Sequence, residues 1–146
     1  MRPDSRQNQT PCVRFCSAPA PYAGSMTTGV RNLTAVFDAF TEAWQPHLLT
    51  RVNDHDLKVA RLDGEFVWHT HPDSDELFLV VEGRVTIQLR DRDVELGPHD
   101  VFVVPRSVEH CPRADHPAHV LMIELQGTTN TGDAGGERTA PLLELT

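Results

Sequence analysis

The sequence predicts an all-β domain, a sandwich or barrel of short strands preceded by one short helix. Nine short runs rich in strand-forming residues follow one another at brief intervals, and turn residues separate them. Only one stretch carries a helical period of comparable strength. A chain of 146 residues that is 39% hydrophobic suits one domain with a sizeable core, which leaves little room for a second.

Residues 1–25 are rich in Pro, Ser, Gln and Ala, show neither period, and are expected to be disordered. With the next few residues they form a leader, 1–31, in which Met26 is a candidate translation start. From Asn32 the pattern changes. Leu33, Val36, Phe37, Phe40 and Trp44 follow i, i+3, i+4 spacing, with Asn32 placed to cap the helix and Pro46 to stop it. The apolar stripe of that helix is expected to pack against the outside of the β domain. The strand candidates are 48–52, 57–62, 65–71, 76–82, 84–90, 94–96, 100–104, 109–113 and 119–125, so the domain is expected over 32–126. Residues 127–146 form a tail, loop-like from Gly127 to Gly136, with Pro141 to Leu145 either lying along the surface or mobile.

The formal charge of −8 argues against a nucleic-acid groove, which needs clustered Lys and Arg, and against an anionic membrane surface. Without residues 1–25 the chain loses Arg2, Arg6, Arg14 and Asp4 and stands at −10. No apolar run is long enough to span a membrane and the first residues lack the apolar stretch of a secretory signal, so the default location is the cytoplasm. Cys12 and Cys16 lie in the leader and Cys111 in the domain, which rules out a disulfide framework for the core.

The stretch Trp68-His69-Thr70-His71-Pro72-Asp73-Ser74-Asp75-Glu76 carries the chemistry. Two histidines one residue apart in a β-like run project to one face, because side chains alternate with period two. Pro72 to Asp75 reads as a turn, after which Glu76 brings a carboxylate back towards the pair. His110, after the strand-like run Val101-Phe102-Val103-Val104, is placed to answer from another part of the sheet. Three imidazoles and one carboxylate are a suitable donor set for one divalent transition metal ion: Fe, Mn, Ni, Co or Zn. His47, His55, His99, His116 and His119 lack such spacing and read as surface residues, as do Asp73 and Asp75. Trp68 and Thr70 alternate with the histidines and should face away from the metal, and Cys111, next to His110, should do the same.

The spacing Gly64-x4-His69-x-His71-x4-Glu76-x6-Gly83 resembles the first motif of the cupins, and Gly97 followed by Pro105-x4-His110 resembles the second. The likeness is to the small single-domain cupins and runs from about Asn32 to Asp133, including Asn130-Thr131-Gly132-Asp133. It implies a single cupin jelly-roll β-barrel holding a metal inside through His69, His71, Glu76 and His110. Three departures fall in the second motif: Ser107 stands where glycine is usual, His99 stands in the usual Pro-Gly-Asp turn, and Ala114 replaces a frequent asparagine. None removes a ligand.

Phe78, Val80 and Val67 are apolar candidates for the ligand side of the interior, and Gln88 or Arg61 for a polar contact. No serine stands in a nucleophile-elbow context and no Gly-rich phosphate loop is present. The resemblance implies dioxygenases, decarboxylases and sugar isomerases as precedents, though one fold hosts many functions. The expectation is a metal-dependent enzyme acting on a small organic molecule, oxygenase- or isomerase-like; the alternative is a non-catalytic small-molecule or metal-binding module. The run 77–81, apolar on both faces, needs a cover on its outer side, and a homodimer would supply it.

Overall fold

The structure is a computed structural model that describes residues 29–145. The expectations of disorder and of a start at Met26 lie outside the described residues. The fold is all-β with one short helix: α1 (Leu33–Asp38), β1 (His47–Val52), β2 (His55–Glu65), β3 (Glu76–Glu82), β4 (Val85–Leu89), β5 (Asp93–Leu96), β6 (Val101–Val104), β7 (His110–Leu125) and β8 (Leu143–Glu144). The sheet runs β5-β4-β7-β2-β1-β8, with β3 joined to both β6 and β7, and the path does not close on itself.

β7 holds the two halves together. Its first residues pair with β4, Leu89 opposite His110 and Ile87 opposite Pro112, while its last eight pair with β2 and β3. Between them Asp115, His116 and Pro117 stand opposite the single residue Asp63, a bulge that releases the strand from a flat ladder. Sequence reading divides this element into 109–113 and 119–125, because the bulge residues carry turn chemistry. Period-two alternation fills the interior: Phe78 and Val80 on β3, Ala118 and Val120 on β7, and Val85 and Ile87 on β4 are all buried in one core.

The helix is shorter than its periodicity suggests. Asn32 caps it, accepting from the Ala35 N–H at 3.2 Å, but it ends at Asp38, and Ala43 then bridges to Arg61 of β2. Val36, Phe37 and Phe40 form a second cluster with Val59 on the outer side of the sheet, as the stripe requires. Arg61 donates to the carbonyls of Phe37 and Phe40, closing the helix end with a cation. His119 stacks on Phe37 at 4.3 Å between centroids and His47 on Phe40 at 4.0 Å, so these two histidines belong to the helix seat rather than to the open surface. His47 is buried.

The second difference lies just before the site. Residues 66–75 are not a strand; a single bridge between His69 and His110 is all the sheet pairing they make. After Leu125 the chain folds back on the domain, and β8 adds a parallel strand to β1, with His47 opposite Leu143. No helix among the described residues is long and apolar enough to cross a membrane.

Candidate metal centre

The four donors converge although the period-two argument for two of them does not hold. His69 and His110 exchange both backbone hydrogen bonds, each at 3.0 Å, and this one closed pair sets the two imidazoles 4.3 Å apart between centroids. His71 is placed by a turn: its carbonyl accepts from the Ser107 N–H at 2.9 Å. Glu76 opens β3 opposite Val104. One ligand atom from each of His69, His71, Glu76 and His110 lies within 4.8 Å of all the others, and all four residues are buried.

Hydrogen bonds set the orientation of two rings. The Nδ1 of His69 lies 2.8 Å from the Val67 carbonyl and that of His110 lies 3.0 Å from the Val108 carbonyl, so Nδ1 is the protonated nitrogen and Nε2 is left as a donor atom. His110 Nε2 is 3.0 Å and His71 Nε2 3.2 Å from the same oxygen of Glu76. Neither ring nitrogen of His71 has a hydrogen-bond partner among the described residues, although both are buried. Burial first, and then the neighbouring His110, pull His69 down to about 4, which keeps it neutral. Burial works against the charge of Glu76, but the close approach of His110 and His71 to its oxygen wins and holds it at about 2. A carboxylate, two oriented imidazoles and a buried orphan imidazole fit a divalent cation and leave His71 without a partner in its absence.

The segment carrying the histidines is pinned along its length. Thr70 donates its N–H to Asp133 at 2.7 Å and accepts from the Asp133 N–H at 3.1 Å. Ser74 accepts from the Leu125 N–H at 2.9 Å, and Asp75, although exposed, accepts from the Arg106 N–H at 2.8 Å. Trp68 lies away from the donors, under the Arg90 guanidinium at 3.8 Å. Cys111 is buried and outside the cluster, its thiol raised to about 11 first by burial and then by the charge of Glu65.

A narrow cavity of about 40 Å³, open at its mouth, adjoins His69 and Glu76. Its walls are apolar, with Ala60, Leu62, Phe66, Phe78 and Met122 prominent, and Trp44, stacked on Phe66 at 4.7 Å, also lines it. Of the residues expected there, only Phe78 lines it. Val80 is core, Gln88 bonds to Glu65 and the Cys111 carbonyl, Arg61 holds the helix, and Val67 contributes its carbonyl to His69.

Sequence reading missed Lys58 and Glu124. Both are buried and line the cavity, paired at 2.6 Å between Nζ and Oε1, with Lys58 also donating to the Thr128 carbonyl at 2.9 Å. The other oxygen of Glu124 has no partner and lies 3.9 Å from His71 Nε2. Burial, then the charge of Glu76, raise Glu124 to about 7 against the pull of Lys58. The signal was phase: Lys58 alternates with Ala60 and Leu62, and Glu124 with Val120 and Met122, which puts both charges on the inner face.

The model of the cupin domain matches residues 59–124. A cupin-2 domain protein of Shewanella frigidimarina, known by its crystal structure, is 37% identical over 66% of this chain and 95% of its own, with a TM-score of 0.66. This chain belongs to the cupin family. Protein NMB1881 of Neisseria meningitidis is 31% identical over 67% of this cupin and all of its own chain, with a TM-score of 0.62. The uncharacterized protein YdbB of Bacillus subtilis is 36% identical over 86 residues, 58% of this chain and 76% of its own length. These neighbours support the jelly-roll form of the sheet.

Proposed function

We propose that His69, His71, Glu76 and His110 hold one divalent transition metal ion, drawn from Fe, Mn, Ni, Co and Zn, and that this cupin is a metal-dependent enzyme acting on a small organic molecule in the adjoining cavity, in the manner of an oxygenase or isomerase. One observation carries the reading: four buried donors meet at one end of an apolar cavity, and one imidazole among them has no other partner. When bound, the metal would supply a Lewis acid at the cavity wall. The chain's own contribution is to orient the imidazoles, to keep His69 neutral and Glu76 ionised, and to exclude water with Leu62, Phe66, Phe78 and Met122. A homodimer formed through the outer face of β6, β3 and β7 belongs to the same proposal.

Elemental analysis of protein purified without a His tag tests the metal, and a turnover screen tests the enzyme. The expected result is close to one metal ion per chain in the wild type, and loss of most of it in His69→Ala, His71→Ala, Glu76→Ala and His110→Ala. Chelation should lower the thermal midpoint of the wild type and leave those variants unmoved, because the ion binds only the folded state. Metal retained in all four variants refutes the site. Metal that depends on them, with no turnover in the parent on any small molecule tried, favours a non-catalytic binding module.

A further inference from the structure

We infer that Glu124, held in place by Lys58, is the second recognition group of the cavity: its unpartnered oxygen accepts a hydrogen bond from the hydroxyl or N–H of a small, largely apolar molecule. The inference takes the cavity as the binding place, and so rests on the function proposed above. The pair lies inside the fold, with side-chain exposures of 3% and 3%, and Lys58 donates to Glu124 Oε1 and to the Thr128 carbonyl. Oε1 is thereby committed to Lys58. Oε2 is buried, makes no hydrogen bond among the described residues, and lies 3.9 Å from His71 Nε2, while Glu124 lines the cavity together with His69 and Glu76. Ionised, as it is at a pH above about 7, the Glu124 carboxylate only accepts hydrogen bonds, and a buried acceptor without a donor is costly, so the missing partner is a donor. The rest of the wall defines the body of that partner: Phe66, Phe78, Leu62 and Met122 offer apolar and aromatic contact and no further charge. An alcohol, phenol or amine on an apolar frame matches both requirements. Lys58 acts as a positioning residue, since its bond to Oε1 turns Oε2 inward.

Phenol and anisole, alike in shape but differing in the O–H, are the probes, measured by calorimetry on zinc-loaded protein. The wild type is expected to bind phenol about 10-fold or more tighter than anisole, the ratio that one hydrogen bond to a charged group provides. In Glu124→Gln the amide oxygen must stay on the Lys58 ammonium, which turns the NH2 into the place of Oε2 and replaces an acceptor by a donor. That variant should erase the preference while zinc content is unchanged, because the NH2 can donate to the oxygen of either probe, an outcome that a merely structural role of Glu124 would not produce. Should it fail to fold, the apolar pair Lys58→Met with Glu124→Leu serves instead and should erase the preference. Equal binding of the two probes, no binding of either to the wild type, or an unaltered preference in the variants overturns the inference. A wild type that takes up no zinc yet shows the Glu124-dependent preference would count against the metal site alone; zinc bound with the preference unaltered by the variants would refute this inference alone.

Discussion

His99 and Ser107 have backbone φ of 72° and 64°, the left-handed region that glycine adopts freely and an L side chain enters at a cost of roughly 1–2 kcal/mol. These are two of the positions where the sequence departs from the cupin pattern, so the conformation survives although the residue changed. Its retention at Ser107 has a reason at the site: this turn brings the Ser107 N–H to the His71 carbonyl. Ser107→Gly should therefore stabilise the protein, though glycine's extra freedom in the unfolded chain offsets part of the gain. The expected gain is about 0.5–1 kcal/mol, a rise of a few degrees in the midpoint of a calorimetric scan. Metal content should stay the same. A lower midpoint would mean that the serine side chain contributes more than the strained backbone costs.

At the scale of elements, the donors depend on a loop that carries none of them. Residues 127–134 lie behind the histidine segment, and a Cβ at Gly132 would sit 2.0 Å from the Thr70 carbonyl oxygen and 2.8 Å from its carbon. Those atoms are backbone, and the φ of Gly132 is 50°, so neither side can yield cheaply. Gly132→Ala should push Thr70 and His71 off position, costing about 2–4 kcal/mol in urea unfolding. Metal affinity should fall by about 10-fold or more in a competition titration. Unchanged affinity would show that the segment is held from its other side, through Ser107 and Ser74. The strands on either side of this segment were legible in the sequence because their side chains alternate, and the helix start because Asn32 caps it. The segment 66–75 was not, since its backbone bonds go to single distant partners, Phe66 to Pro112 and His69 to His110, instead of to a ladder. The four donors could be read because their motif spacing survives a change in local structure and sets them apart from His47, His55, His99, His116 and His119, which lack it. Lys58 and Glu124, far apart in sequence, could be placed on the inner face by phase, but their pairing depends on the β2–β7 register, which no local pattern reveals.

For the whole molecule the open question of shape is the outer face of β6, β3 and β7. The register sets Leu77 beside Val103 and Ile123, and Leu79 beside Val101 and Leu121, so five strand positions of like character adjoin Val101. Helix α1 covers the far end of this face, at Val81 and Leu121, but Val101 is 54% exposed and Val103 43%. A contiguous apolar area of this kind on an acidic protein is the face through which the proposed homodimer would form, since a second copy would meet it with an identical apolar face and no unlike charge to bury. Burying Val101, Val103 and the outer sides of Leu77, Leu79 and Ile123 on both copies supplies the apolar centre that an interface needs. Light scattering on the wild type at micromolar concentration should give the mass of a dimer. Val101→Lys combined with Val103→Glu, which face solvent in one copy and are buried with their symmetry mates in the pair, should give a monomer that keeps its metal. A wild type of monomer mass removes the dimer outright, while a dimer that tolerates both charges moves the contact to another face.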